Sequence, residues 1–244
     1  MNQRNLAART ILVMSLATML AACAGTQSRH TDPVHDPWEG FNRKMYAFNQ
    51  GLDKVARPIA KGYAKIMPDP LQRGVTNFMH NLASPVTFVN ALLQGKPNEA
   101  GVSAERFLMN TVFGLFGFFD LASKAGIEDP DEDFGQTLAV WGWHESRYLV
   151  VPVLGPLTAR DVLGRAYYGY LHPLPWYARQ EHVYWPIVLD LLNTRANLLP
   201  YDEQVDQAYD PYVFVRDAYL QNRQFHIYDG NPPAPDYESY LEGQ

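Results

Sequence analysis

The sequence predicts an all-α protein built as a single helical domain over residues 36–228, with little or no strand. Apolar residues recur three and four positions apart through much of this range, which is the spacing of a helix that buries one face. An acid or a serine followed by proline precedes four of the predicted helices, and this pair is typical of a helix start. Only one short segment has the valine content of a strand, and no linker is visible inside the range.

The chain begins with the three parts of a bacterial secretory signal. Two arginines precede an apolar run over residues 11–20, and two alanines complete the segment. The run is too short to cross a bilayer, which takes about 20 apolar residues. The next residue, Cys23, is the only cysteine of the chain, and its position resembles the lipobox of bacterial lipoproteins.

We therefore predict a lipoprotein signal peptide over residues 1–22 and a lipidated tether over residues 23–35. Sulfur forms the thioether to diacylglycerol at Cys23, and cleavage frees an amine that takes an N-acyl chain. At about 0.8 kcal/mol per buried methylene, three chains hold a protein at a membrane. Ala24 resembles the sorting pattern for the outer membrane of a Gram-negative cell. The alternative is an ordinary secreted protein with an unpaired cysteine; apart from the acyl chains, no cofactor is expected.

The mature chain is acidic and has no possible disulfide. Cleavage would remove two arginines and no acid, so the formal net charge of −6 becomes −8. This charge disfavours a nucleic-acid partner, which requires a clustered basic face. Because the one thiol is committed to lipid, packing alone must stabilise the protein.

The first helix is predicted to begin at Asp36, and its apolar pattern resumes after Pro58 and runs to Ile66. Asp36, Pro37 and Glu39 hold the N-cap, first-turn and capping-box positions. Apolar residues follow at helical spacing until Pro58, whose ring clashes with the carbonyl four residues earlier. The pattern predicts either two helices or one kinked helix.

Further helices follow from the same signals. The pairs Asp69-Pro70, Ser84-Pro85 and Asp210-Pro211 each predict a helix start. Periodicity adds helical segments at residues 98–110, 112–123, 159–171 and 176–197, the last with a kink at Pro186.

Three segments do not read as helix. Residues 148–154 favour an extended conformation, although Pro152 restricts them to an edge strand or irregular structure. The acidic residues 126–134 predict a solvated loop. Residues 229–244 combine prolines with acids, which predicts a disordered tail.

The sequence offers no catalytic set. It lacks a G-x-S-x-G elbow and a supported S-x-x-K pair. Its seven histidines form no H-E-x-x-H motif and no other ligand pair at helical spacing, so no metal site is predicted. We therefore expect binding or transport rather than an enzyme.

Residues 107–122 form the most apolar stretch of the mature chain, and they are too few to cross a membrane. We interpret their large apolar side chains as a membrane-facing rim or an inner apolar gate, and the alternative is a buried core helix. The glycines at 114 and 117 would permit close helix packing. The candidate side chains are Phe107, Leu108, Phe113, Leu115, Phe116, Phe118 and Phe119.

Several motifs together resemble the MlaA family of outer-membrane lipoproteins, also called VacJ. The resemblance covers about residues 36–225, and its most specific blocks are D-P-W-E-G-F-N-R from residue 36 and D-F-G-Q-T-L from residue 133. Supporting motifs are Gly74-Val75-x-Asn77-Phe78, Leu93-Gln94-Gly95, Arg106-Phe107-x-x-Asn110-Thr111, Trp141-Gly142 and Arg160-Asp161. One departure is Glu145-Ser146-Arg147-Tyr148, where the family usually has Gly-Pro-Tyr.

The resemblance implies a ring-like helical protein with a central amphipathic channel, lying in the periplasmic leaflet of the outer membrane beside trimeric porins. It implies removal of misplaced phospholipids from the outer leaflet and their transfer to the periplasmic carrier MlaC, which maintains lipid asymmetry. Asn42, Arg43, Asn77 and Asn81 are then either polar groups near the channel or, as we favour, capping and inter-helix hydrogen bonds. The alternatives are a structural lipoprotein that binds porin or cell wall without lipid passage and, less favoured, an esterase.

Overall fold

The computed structural model describes residues 36–182 and 184–233, and all elements within these ranges are helices except for one β-hairpin. The predicted signal peptide, Cys23, the tether and residues 234–244 of the predicted tail lie outside the described residues. The elements in order are α1 Glu39–Ile66, α2 Asp69–Leu93, α3 Pro97–Val112, α4 Leu121–Lys124, α5 Phe134–Val140, β1 Tyr148–Val151, β2 Gly155–Thr158, α6 Ala159–Leu171, α7 Pro173–Glu181, α8 Trp185–Asn197, the 3₁₀ turn Leu199–Tyr201, α9 Asp202–Gln207 and α10 Pro211–Ile227.

Helix α1 is one continuous helix that contains Pro58, so the two-helix alternative is wrong. The predicted capping box is also wrong, because no side chain caps the first turn. The carboxylate of Asp36 instead accepts a hydrogen bond from Asn42 Nδ2 at 2.7 Å. Glu39 accepts one from Arg43 Nε at 2.7 Å. Both acids are therefore used in contacts further along the helix.

Two of the predicted helix starts need correction. Helix α2 runs through Pro85, and Ser84 donates its hydroxyl to the carbonyl of His80 rather than capping a new helix. Asp69 is the first residue of α2 rather than its cap. The start at Asp210 is confirmed, since its carboxylate accepts from the backbone amides of the next turn and α10 begins one residue later.

The helix predicted over residues 112–123 is wrong. Helix α3 ends at Val112, and Leu115 and Phe116 adopt left-handed φ values of 53° and 58°. Of the predicted helix after Val112, only the part that falls in the four-residue helix α4 is helical. Isolated propensity favours helix here, but the tertiary contacts described below fix a turn.

The helix predicted over residues 176–197 is two helices. Helix α7 ends before His182, whose φ is 53°, and α8 begins at Trp185. Pro186 therefore lies in the first turn of a new helix instead of producing a kink. The prediction at 159–171 is confirmed by α6, which starts with a capping box between Thr158 and Asp161.

The sequence interpretation missed four short elements: α5, β2, the 3₁₀ turn and α9. The signal for α5 was present, because Asp133 caps it by accepting from the amide of Gln136 at 2.9 Å. The preceding acidic loop is not wholly solvated as predicted, since Glu132 is 3% exposed.

The β-hairpin confirms that strand is scarce in this fold. Strands β1 and β2 are antiparallel, with Tyr148 opposite Thr158 and Val151 opposite Gly155. The hairpin turns at Val153, with φ 70°. The Glu145–Arg147 departure leads directly into β1.

The elements form a closed circuit of contacts, which confirms the ring-like helical architecture. Helix α1 packs against α8, α8 against α2, α2 against α5, and α5 against α6. Helix α6 then contacts β2, and β1 returns to α1. Helix α10 packs against α5 and β2 and so joins the ring at the hairpin.

The buried core is small and strongly polar. Its apolar centre is Tyr148, Val150 and Tyr212. The side chain of Asn42, which is fully buried, donates to the carbonyl of Tyr148 and accepts from the amide of Val150. Most other fully buried apolar residues are alanines. Among the helices of the described ranges, none combines the length and hydropathy needed to cross a bilayer.

Candidate functional site

A cavity of about 450 Å³ lies among members of the ring, and we call it the polar cavity because charged side chains line it, in contrast to the groove described below. Helices α2, α6 and α10 supply most of its wall, and the loop before α5, helix α5, strand β2 and helix α8 complete it. Many of its side chains are charged or aromatic. They include His80, Glu132, Asp133, Phe134, Asp161, Arg165, Tyr167, Tyr168, Asp190, Tyr219, Arg223 and His226.

Arg223 of α10 binds two carboxylates from different walls of the cavity. It donates two parallel hydrogen bonds to Asp133, at 2.6 and 2.7 Å, and a third to Asp161 at 2.9 Å. Tyr219 donates its hydroxyl to Asp161 at 2.6 Å. Burial alone would lower the pKa of Arg223, but the hydrogen bonds to Asp133 and the attraction of both carboxylates raise it above its ordinary value. This paired fork fixes α5, α6 and α10 around the cavity.

On the wall formed by α6 and α8, burial shifts the pKa values of titratable groups, and no ion pair among the described residues offsets the effect. Burial raises the pKa of Tyr168 to about 12, and the nearby charge of Asp190 contributes to the rise while Arg165 opposes it. Burial also raises the pKa of Asp190 above its ordinary value. Tyr168 stacks on His172 at a centroid distance of 4.6 Å, and His172 is buried at the junction of α6 and α7.

An apolar groove of about 490 Å³ lies beside the cavity. Its lining is almost entirely apolar and comes from α2, α7, α8 and Phe118. The side chains are Val75, Phe78, Met79, Leu82, Phe118, Pro173, Leu174, Tyr177, Trp185, Pro186 and Leu189.

The groove and the cavity lie on neighbouring faces of the same two helices. On α2, Met79 faces the groove and the next residue, His80, lines the cavity. On α8, Leu189 faces the groove and Asp190 lines the cavity. Consecutive helical residues point about 100° apart, so each helix separates an apolar space from a polar one. The charged lining of the cavity suits the polar end of an amphipathic ligand, and the groove suits its apolar end.

The aromatic turn, defined as residues 113–119, presents large apolar side chains to the outside. Phe113 is 72% exposed, Leu115 65% and Phe116 70%. Leu108 and Phe119 are also exposed, whereas Phe107 and Phe118 are half-buried. The buried-helix alternative does not describe the five exposed residues; whether they face lipid remains a prediction.

Hydrogen bonds to α2 hold the aromatic turn in its strained conformation. Asn77 donates to the carbonyl of Phe118 and Asn81 to that of Phe116, both at 3.3 Å. Two consecutive large residues with positive φ cost about 1–3 kcal/mol each. The turn is therefore a fixed projection whose conformation is imposed by its neighbours.

The polar residues Asn42, Arg43, Asn77 and Asn81 all make contacts between elements. Besides the bonds already described, Arg43 forms a bidentate pair with Asp210 at 2.7 and 3.2 Å. Asn81 also donates to Thr111 Oγ1 at 2.9 Å. None of the four lines the cavity of about 450 Å³, but Asn77 and Asn81 line a smaller pocket of about 230 Å³ that shares His80 with it. The contacts of the four side chains are those that the inter-helix interpretation predicts, and a role near a channel stays a prediction.

One group of carboxylates has the spacing of a metal site. Ligand atoms of Glu99, Glu132 and Asp229 lie within 4.8 Å of one another. The ammonium of Lys96, however, lies 2.7 Å from Glu132 and 2.6 Å from Asp229. A cation is therefore already supplied by the chain itself.

Sequence reasoning did not find the cavity. Its charged residues come from four helices and a loop that are distant in the chain, and no local spacing connects Asp133 with Arg223. The signal that was visible, the D-F-G-Q-T-L block, marks the start of α5 and includes Asp133 and Phe134, both at the cavity.

Comparison with known proteins gives a consistent assignment. The family model described as MlaA lipoprotein matches residues 34–226. The intermembrane phospholipid transport system lipoprotein MlaA of Haemophilus influenzae is 36% identical over 91% of this chain and 92% of its own. The protein of the same description from Escherichia coli K12 is 37% identical over 85% of this chain and 84% of its own.

A relative from Rickettsia prowazekii that is described as uncharacterized is 38% identical over 78% of this chain and 77% of its own. A solved structure, reported as a structural basis for maintenance of bacterial outer membrane lipid asymmetry, superimposes with a TM-score of 0.68. It is 34% identical and covers 80% of this chain and 99% of that chain.

Proposed function

The chain belongs to the MlaA lipoprotein family, and we propose that it is the outer-membrane component of an intermembrane phospholipid transport system. It removes mislocalised phospholipids from the outer leaflet and so maintains outer-membrane lipid asymmetry. The observation that carries this proposal is the polar cavity beside the apolar groove, divided by α2 and α8.

The physical task is to avoid exposing lipid tails to water. A phospholipid has about 30 methylenes, and at about 0.8 kcal/mol each their transfer into water costs more than about 20 kcal/mol. A protein that passes the headgroup through a polar space while the tails stay against apolar surface removes most of this cost. Such passage requires neither a nucleophile nor a nucleotide, and we propose that the protein is not an enzyme.

The large apolar side chains on the protein surface support a location of the protein in the membrane. Whereas the buried apolar residues are mostly small, exposed ones include Trp141, Trp176 and Trp185, as well as the aromatic turn. Large apolar side chains exposed in this number are typical of a protein that contacts lipid or another protein. In line with the family resemblance, we propose that the ring lies in the periplasmic leaflet of the outer membrane.

The anchor and the partners complete the proposal. Acyl chains on Cys23 hold the protein in the outer membrane of a Gram-negative bacterium, as the lipobox-like sequence indicates. The family resemblance supports a trimeric porin as neighbour and the soluble carrier MlaC as acceptor of the lipid.

Site-specific photo-crosslinking in cells tests lipid passage directly. A benzoylphenylalanine at position 189, in the groove, should become covalently attached to phospholipid. The same probe at Glu203 on the exposed surface of α9 is the matched control and should remain unmodified. A structural lipoprotein without lipid passage would give no lipid adduct at position 189.

Measurements on cells test whether the protein removes phospholipid from the outer leaflet and whether it needs the lipid anchor at Cys23. Deleting the gene should raise the phospholipid content of the outer leaflet, and the intact gene should restore it while Cys23→Ala should not. Release of lysophospholipid by the purified protein would support the esterase alternative and contradict the transport proposal.

A further inference from the structure

Two charged side chains of the cavity have no ionic partner within the described residues: Arg165 of α6 and Asp190 of α8. Each of the other acidic or basic side chains of the cavity, histidines included, lies within 4.0 Å of a partner. Arg223 binds Asp133 and Asp161, Lys96 binds Glu132, His226 faces Asp131 at 3.6 Å, and His80 faces Asp129 at 3.2 Å.

Asp190 lies where the polar cavity meets the apolar groove. It is half-buried, and the preceding residue, Leu189, lines the groove. It accepts no hydrogen bond from any part of the chain that the structure describes. Burial raises its pKa because nothing nearby stabilises the charged form. A cationic ligand group would supply that stabilisation.

Arg165 lies within electrostatic reach of the same phenol as Asp190. Both charges act on Tyr168, in opposite directions, and Arg165 also acts on Tyr219. No ion pair within 4.0 Å joins Arg165 to Asp190. The guanidinium is exposed, so its donors are accessible from the cavity. The wall thus carries one positive and one negative side chain that are not paired with each other and can each bind a ligand group.

We propose that Arg165 and Asp190 form a recognition site for a zwitterionic phospholipid headgroup with a primary ammonium. Arg165 binds the phosphate, Asp190 binds the ammonium, and the acyl chains follow the groove past Leu189. The inference rests on the proposed transport function and adds to it a preference for aminophospholipids over anionic ones.

The charge of the wall explains the expected discrimination. The cavity is lined by five carboxylates and only two arginines, and one arginine is committed to Asp133 and Asp161. An anionic headgroup without an ammonium would satisfy Arg165 but leave the half-buried Asp190 without a partner. It would also add negative charge to an acidic space, which is unfavourable at short range.

A competition experiment measures this preference. The purified, lipidated protein is incubated with vesicles that contain equal amounts of phosphatidylethanolamine and phosphatidylglycerol with identical acyl chains, and captured lipid is quantified by mass spectrometry. The wild type should enrich phosphatidylethanolamine about fivefold, the value of a partly exposed charge pair. Asp190→Asn should bring the ratio to about one, and Asp190→Glu should preserve the enrichment. Arg165→Gln should reduce capture of both lipids.

The controls separate this inference from the proposed function. Glu203→Gln removes an exposed carboxylate on α9 and should leave the ratio unchanged. Equal capture of both lipids by the wild type, or an unchanged ratio in Asp190→Asn, would overturn the headgroup assignment while leaving transport intact. If the wild type captures neither lipid, the proposed function itself fails. The wild-type ratio decides the question even if a variant folds poorly.

Discussion

Gly74 of α2 lies so close to the tip of the Phe118 ring that a Cβ at position 74 would be 2.1 Å from Phe118 Cζ. The absence of a side chain at one residue therefore permits the aromatic turn to pack onto the helix that carries the groove. Phe118 in turn forms part of the groove wall. The contact joins a feature of the outer surface to the proposed path of the lipid tails.

We expect Gly74→Ala to displace Phe118 and to lower the free energy of unfolding by about 1–3 kcal/mol, the usual cost of overpacking. Crosslinking of lipid at position 189 should fall as the groove is deformed. The matched control is Gly101→Ala in α3, where a Cβ would meet no atom within 4 Å. That substitution should stabilise the helix by about 0.5–1 kcal/mol. Equal effects of the two substitutions would refute the close packing.

A second prediction concerns the exposed side chains of the aromatic turn. Phe116→Asp should leave the thermal unfolding midpoint nearly unchanged, because the ring is 70% exposed, but should impair clearance of outer-leaflet phospholipid. Phe116→Leu keeps the apolar surface and should retain clearance. Phe107→Asp, at a half-buried position, should instead lower the yield of folded protein. Normal clearance by Phe116→Asp would count against a membrane contact there.

The fork of Arg223 gives a third prediction. Lysine keeps the charge but cannot donate the parallel hydrogen bonds to Asp133 together with the bond to Asp161. Arg223→Lys should therefore lower the free energy of unfolding by about 2 kcal/mol in denaturant titration. Arg179→Lys is the control, since Arg179 is exposed and bonds one carbonyl of its own helix. Similar small effects of both variants would show that the fork contributes little.

The fourth prediction concerns pH. Burial lowers the pKa of His172 from 6.5 to about 4, so the folded state favours the neutral ring. Its contribution to stability is therefore present above pH 6.5 and is lost as the pH falls towards 4. Between pH 7 and pH 5 the loss from this residue should be about 2 kcal/mol.

His172→Asn isolates this contribution. His172 caps α7 by accepting from the amide of Leu174, and asparagine can take over that bond without titrating. The variant should lose less stability than the wild type between the two pH values, as measured by denaturant titration at each pH. Identical losses would show that His172 does not titrate in this range.

The local sequence was sufficient for elements whose signals are local. Thr158 and Asp161 form the capping box of α6, and Asp210 caps α10, because an N-cap needs only the next three residues. The prediction from local sequence failed where a residue from elsewhere in the fold binds the side chain that was expected to cap the helix. Asp36 was expected to cap α1, but the buried side chains of Asn42 and Tyr212 take its carboxylate.

The sequence by itself determined the helical class, the family and the lipoprotein-like amino terminus, since helical spacing, helix caps and specific motifs are all written along the chain. Only the tertiary structure decided that residues 113–119 form a turn, because the hydrogen bonds from Asn77 and Asn81 come from another helix. It also decided which charges are paired. Arg223 is neutralised by carboxylates 62 and 90 positions away, whereas Asp190 is left without a partner in the described chain, and such distances carry no local signal.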